Sequence, residues 1–209
     1  MPSPGAFTRD LAAIMGMAEK TVALYDRTLR TAGLRAKSGR GRGATAVTLR
    51  DAAHLLTSIL GSEAVKDAAD AVLRYDATRP QQPGSGTDLY GETGIDELKA
   101  LPREHSFVDA VEALVASAAK GSLADAVEAS QTAPVIDIAA LSPGTVGDIR
   151  LAGLPSGITV NVRYLKPVPR EKRKGPQPRV QRDLEQYRRI SERTVFGIGA
   201  LLAGEKETP

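Results

Sequence analysis

Apolar positions recur at helical spacing through most of the first 130 residues and alternate with polar ones after Pro134. Residues 1–6, with two Pro and one Gly, read as a disordered leader. Thr8 is the expected N-cap of a first helix, with Asp10 in its first turn, Leu11, Ile14 and Met15 on one face and Gly16 as its stop. A second helix is predicted from about Ala18 to Ala32. Val22, Tyr25 and Leu29 face the first helix, and Gly33 ends it. Lys20, Thr21, Leu24, Arg27 and Thr31 are left on the other side. Thr48 and Asp51 make a capping-box-like start for a third helix with Leu49, Ala52, Ala53, Leu56 and Ile59 inward and Gly61 at its end. Ser62 is the expected cap of a fourth, burying Val65, Ala68, Ala69 and Leu73. This Ala-rich face either closes the core or forms a dimer contact.

Residues 76–92 carry two Pro and three Gly and read as an interdomain linker. Beyond it a short helix is predicted around 94–101. Ser106 and Asp109 then open another, with Phe107, Val111, Leu114, Val115 and Ala118 buried. Ser122 and Asp125 open a shorter one. After Pro134, VIDIAAL, TVGDIRLAGL and GITVNVRYL are rich in β-branched residues. Ile158, Val160, Val162 and Tyr164 alternate with Thr159, Asn161 and Arg163, and Leu154–Gly157 suits a hairpin turn. A last helix is expected over 180–203, charged in its first half and apolar in its second, the second half being a packing or oligomer face too short to span a bilayer. The fold class is α+β, mainly α. The expected division is an N-terminal helical unit at 1–75, a linker at 76–92, an α+β oligomerisation or partner unit at 93–165, a basic Pro-rich arm at 166–182 and a C-terminal helix and tail at 183–209.

Two segments change this picture through charge. LRAKSGRGRGATAVT follows the second helix, and in it Arg35, Lys37, Arg40 and Arg42 alternate with Gly and Ser. Glycine lets backbone approach closely and arginine grips phosphate with two hydrogen bonds, so a wing or arm along a nucleic-acid backbone fits the pattern; a solvated loop is the plainer reading. Its Gly spacing is not a dinucleotide fingerprint, because no strand precedes it and no helix follows directly. Residues 166–182 hold seven basic side chains (Lys166, Arg170, Lys172, Arg173, Lys174, Arg179 and Arg182), one acid and four Pro. They form either a second electrostatic grip on nucleic acid or a solubilising linker. Along the chain, residues 1–60 carry net +5, 61–135 net −7 and 136–209 net +5. Two basic ends around an acidic middle suit polyanion contact at the ends.

The composition excludes some chemistry. With no Cys there are no disulfides, thiolate metal sites or Cys nucleophiles. The N-terminus has no secretory h-region, and no apolar run approaches the length of a membrane span. His54 and His105 are the only histidines and fall in separate regions, His54 beside apolar neighbours as a structural or surface residue rather than a ligand. No metal-binding, nucleophile-elbow or Walker motif is present. Tyr187 amid Arg182, Arg188 and Arg189 resembles the setting of a phosphotyrosine-forming nucleophile, but spacing alone does not assemble the Arg/His constellation that one requires. The expectation is therefore no catalytic residues, no metal and no cofactor.

Residues 8–60 resemble the winged helix-turn-helix DNA-binding domain of MerR-type regulators, over about a quarter of the chain. The residues that carry the likeness are LAAIMGMAEKTVALYD, then AGL, the arginine-rich loop and VTLRDAAHLLTSI. Thr21, Tyr25 and Asp26 stand at matching positions, Gly33-Leu34 at the turn and Thr48-Leu49 at the opening of the next helix. The chain departs from the family at Ala23 and Leu24, where the family has an Arg and a Tyr, in a longer second helix, and in a wing without its aromatic. The resemblance implies a bacterial or phage regulator that reads double-stranded DNA as a dimer, localised in the cytoplasm at the nucleoid. Lys20, Thr21, Leu24 and Arg27 would enter the major groove, with Arg35, Lys37, Arg40 and Arg42 on phosphate or the minor groove. Phage packaging proteins such as small terminase subunits use similar readers, so an assembly adaptor built as a ring is the alternative. A protein-interaction module without a nucleic-acid role is a third possibility.

Overall fold

The computed structural model describes residues 2–35, 46–81, 90–130, 132–167 and 185–204. Its helices are α1 (Pro4–Met15), α2 (Glu19–Thr31), α3 (Leu49–Gly61), α4 (Ala68–Asp76), α5 (Asp96–Lys99), α6 (Phe107–Lys120), α7 (Ser122–Glu128) and α8 (Glu192–Ala203). Its strands are β1 (Arg79–Pro80), β2 (Val135–Ser142), β3 (Val146–Ala152), β4 (Val160–Leu165) and β5 (Gln186–Ile190). They form one sheet in the order β1-β4-β3-β2-β5, every neighbouring pair antiparallel.

Helix starts and stops follow local chemistry. Thr48 and Ser106 each accept from the backbone N–H three residues on, and Asp51 and Asp109 each accept from the cap's own N–H, so both capping boxes are complete. Gly16 adopts φ 65°, and its N–H returns to Ala12 and Ala13; a side chain there would be strained. The chain start differs from expectation. Ser3 is the cap and Pro4 opens α1, so residues 4–6 of the expected leader are helix; Thr8 lies inside it, its hydroxyl donating back to Pro4 and Gly5. Proline suits this first turn because the N–H it lacks would be unpaired anyway. The earlier start buries Phe7.

α3 is the central helix. Every residue from Asp51 to Gly61 is buried, not only the inward stripe, because α2, α4, α6 and the sheet surround it. α6 is likewise enclosed from Phe107 to Ser117, Asp109 and Glu112 excepted, by α3, α5, α7 and α8. The inner sheet face presents Ile136, Ile138, Ile149, Leu151, Val162 and Tyr164 to these helices. On the outer face Arg163 pairs with Asp148 and Arg189 with Asp137. Tyr75 joins the layers: its hydroxyl donates to the carbonyl of Leu141 at 2.8 Å and its ring lies 5.2 Å from that of Phe107.

Three further expectations are corrected. Ser62 closes α3 and does not open α4, which begins only at Ala68 after a 3-10 turn. The later start turns Tyr75, Ala71 and Val72 inward and leaves Leu73 exposed. At the other end, 186–190 is a strand, not the charged half of a helix, since β2 has a free edge that Tyr187 to Ile190 can hydrogen-bond. The third concerns the two-unit division. A single buried cluster runs from Phe7 through Leu56, Leu114 and Ile138 to Leu202, α1 packs on α8, and Arg79–Pro80 joins the sheet through β4. The described parts of 76–92 are thus built into the fold; residues 82–89 lie outside the described residues. Tyr90 just beyond them is buried.

The apolar half of α8 is used within the chain. It contacts α6 and α1 closely, and a Cβ at Gly199 would fall 2.6 Å from the Cβ of Ala118. Among the described residues no helix is long and apolar enough to cross a membrane.

Candidate nucleic-acid interface

α1 and α2 meet through the turn at Gly16 and Met17, where Met17 N–H donates to Ala12 at 2.9 Å. Phe7 and Leu11 of α1 and Val22, Tyr25 and Leu29 of α2 are all buried. This register leaves Lys20, Leu24, Arg27 and Thr31 in one stripe along the outer side of α2, all exposed. Leu24, a large apolar side chain, is 48% exposed there. The Thr28 and Thr31 hydroxyls fold back onto the carbonyls of Leu24 and Arg27 at 3.0 Å. Thr21 is half-buried and lies beside this stripe, lining a cleft toward α8. Of the four residues expected in a groove, Lys20, Leu24 and Arg27 therefore share a face and Thr21 does not.

Arg35 is where the structure corrects the sequence reading. Expected on a phosphate, it is 4% exposed and forms an ion pair with Asp26, which also receives Arg30 at 2.7 Å. Its guanidinium carbon sits 6.0 Å from the centre of the Phe7 ring. Burial lowers the Arg35 guanidinium from its ordinary value, and the Asp51 carboxylate opposes that shift. A guanidinium so placed cannot reach an external phosphate; it ties the start of the arginine-rich segment to α2. Asp26 is the residue the sequence left without a role. Its carboxylate, buried on the inner side of α2, is matched by two arginines and turned away from the open stripe. Nearby, His54 is 9% exposed, and its Nδ1 lies 2.7 Å from the carbonyl of Leu34. A carbonyl only accepts, so Nδ1 carries a proton, and the turn after α2 is fastened to α3. Lys37, Arg40 and Arg42 lie outside the described residues, as do Arg170, Lys172, Arg173, Lys174, Arg179 and Arg182; Lys166 is exposed just after β4.

Two other polar clusters lie deeper in the fold, one of them part-exposed. Arg50 bonds Asp76, Asp109 and Glu112 within 3.1 Å, joining the starts of α3 and α6 to the end of α4. Burial there opposes ionisation of Asp109, but its bonds to Ser106 and Arg50 prevail and hold the carboxyl below its ordinary value. Tyr90, Tyr164 and His105 form a chain: Tyr90 and Tyr164 hydroxyls are 2.6 Å apart, and Tyr164 lies 2.8 Å from His105 Nε2. His105 Nδ1 faces the carbonyl of Pro102 at 2.7 Å and must be the protonated nitrogen. Nε2 therefore accepts from Tyr164, whose oxygen accepts from Tyr90. Burial pushes both phenols up and the imidazole down, so all three stay neutral. With exposures of 0–3%, this chain is closed to substrate and fastens the segment from Tyr90 to His105 onto β4. No pattern in the sequence announces it, since its members stand up to 74 residues apart. Among the described residues no group of three or more His, Asp or Glu could hold a metal ion.

No protein-family model matches the chain, and neither does any curated protein or solved structure compared with it.

Proposed function

We propose that the chain is a sequence-specific double-stranded DNA-binding regulator of the winged helix-turn-helix kind, with α2 in the major groove and the arginine-rich segment after it on the DNA backbone. The observation that carries this reading is the open stripe of Lys20, Leu24, Arg27 and Thr31 on the second helix of a tight helix pair. Its two cations have no acidic partner among the described residues, while Asp26 on the same helix is neutralised from within by Arg30 and Arg35. A helix that hides its central acid and shows its bases outward suits a polyanion. Leu24, exposed between two cations, suits the apolar contact that a thymine methyl offers in the major groove. Arg35 is the anchor of the wing in this reading, and Lys37, Arg40 and Arg42 carry its phosphate contacts.

The test is selection of bound duplexes from genomic fragments, followed by footprinting and by titration at several salt concentrations. Arg27→Ala should weaken the selected site by about 1–3 kcal/mol and relax preference at one position if it reads a base. Lys20→Ala should weaken all sequences alike and reduce the salt slope by about one if it meets phosphate. A chain that binds no duplex in a salt-sensitive way is not a DNA reader. One whose affinity and site preference ignore Arg27→Ala does not read through this face.

A further inference from the structure

Between the α1–α2 pair on one side and β5 with the start of α8 on the other lies an open cleft of about 560 Å³. Its size falls in the range of small-molecule sites, roughly 300–1,000 Å³. Met15 and Met17 come from α1 and the turn after it, Tyr25 from α2, and Ile59 and Leu60 from α3, so these walls are apolar. The opposite wall carries Arg188, Arg189 and Arg193, and no Asp or Glu lines the cleft.

The three arginines are not equivalent. Arg189 is paired with Asp137 at 3.3 Å on the outer sheet face. Arg188 is held by neutral acceptors, the carbonyl of Ile59 at 2.7 Å and the side-chain oxygen of Gln186 at 2.8 Å, so its position is set and its charge is not cancelled. Arg193 is exposed and has no ion-pair or hydrogen-bond partner among the described residues. It stands in the first turn of α8, where the backbone N–H groups point outward, and the cap residue Ser191 uses its side chain for no capping bond. The neighbouring acids, Glu19 on α2 and Glu192 on α8, do not line the cleft. A neutral apolar molecule would leave the two uncompensated guanidiniums without a counter-charge. A bare inorganic anion would leave the apolar walls uncovered. A cation is repelled by the arginines of the far wall.

We propose that this cleft binds a small molecule with an apolar body and one anionic headgroup, the head on Arg193 and Arg188 at the start of α8 and the body against Met15, Met17 and Ile59. The site stands whether or not α2 reads DNA.

The chain has three methionines, Met1, Met15 and Met17, and two of them line the cleft. Full-length protein labelled with ¹³C at the methionine methyls is titrated with octanoate below its micelle concentration. The expected result is saturable movement of the Met15 and Met17 signals with Met1 unmoved. Octan-1-ol and inorganic phosphate should each bind at least about tenfold more weakly, since each lacks one half of the recognition, and octylamine should not saturate. Arg193→Ala should raise the octanoate Kd about tenfold, whereas Arg189→Ala, already paired to Asp137, should change it less than about twofold. No saturable shift with octanoate overturns the proposal. So does equal affinity for octanol or phosphate, or an Arg193→Ala protein that binds octanoate as the wild type does while its methyl spectrum shows the native fold.

Discussion

Replacing Asp26 by Asn separates an anchoring Arg35 from a DNA-contacting one. In the native chain the side chains of Asp26 and Arg35 are each 2% exposed, while Arg30, the second partner of Asp26, is 35% exposed. Asp26→Asn leaves the Arg35 guanidinium desolvated against a neutral amide. Removing one partner of a buried pair costs about 3–5 kcal/mol. Arg30 can turn into water and adds little. The reverse change is milder. Arg35→Met keeps an apolar stem against Phe7, and Asp26 retains Arg30, so the cost should be about 1–2 kcal/mol for the acceptor positions left unfilled. Replacing both, as Asp26→Leu with Arg35→Met, should fall near the wild type, because apolar groups of similar volume often substitute for a buried pair at little cost. Urea unfolding followed by far-UV circular dichroism measures all four proteins, and the difference of differences gives the coupling. For a chain of this size the Asp26→Asn loss corresponds to a fall in Tm of about 6–20 °C. The reasoning is wrong if Asp26→Asn costs less than about 1 kcal/mol, or if Arg35→Met is as damaging as Asp26→Asn.

Four other outcomes are expected. Gly199→Ala should lower stability by about 1–3 kcal/mol through overpacking against Ala118, although alanine is the better helix former. Gly5→Ala, with open space around it, should raise stability by up to about 1 kcal/mol, and thermal melts that fail to separate the two would contradict the packing described for α8. His105 has a folded pKa below its ordinary 6.5, so the unfolded chain binds the extra proton first as pH falls. Its contribution is complete above about pH 6.5 and is lost on acidification below it, a loss that His105→Gln should flatten in urea midpoints measured between about pH 7.5 and 5. Tyr164→Phe removes the acceptor of Tyr90 and the donor to His105 and should cost about 1–3 kcal/mol, read from the same unfolding curves.

What could be read from the sequence was whatever neighbouring residues decide. The capping boxes at Thr48 and Ser106 and the turn at Gly16 depend on groups three or four residues apart. The alternation from Val160 to Tyr164 and the turn at Leu154–Gly157 are equally local, and the hairpin of β3 and β4 follows from them; Ile158, expected in the same alternation, lies exposed before β4. The open stripe of α2 was legible because Val22, Tyr25 and Leu29 define the opposite side. What was missed depends on distant partners. QYRRI has the composition of a helix surface and becomes a strand only because β2, some 50 residues earlier, offers it an edge. Arg35 looks like its neighbours Lys37 and Arg40 in sequence, yet Asp26 lies nine residues back across a helix end, a spacing at which no helical rule brings side chains together. A helix capped at Ser62 would start five residues before α4, whose cap is Asp67; Ala68 is buried in both cases, but Ala71, Val72 and Tyr75 take the inner face and Leu73 the outer.

The packing of α1 on α8 bears on how the chain is made. α1 leaves the ribosome long before the helix it rests on: roughly 180 residues separate Ile14 from Gly197, which at about 5–20 residues per second is some 10–40 seconds of synthesis. Until then the face of α1 that Gly197 admits stays wet, and the cluster running from Phe7 to Leu202 lacks a wall. The helix pair proposed to read DNA therefore matures only once α8 has been made. A message truncated before α8 would release a chain with that surface uncovered, a substrate for chaperones and proteases before it is a competitor for an operator.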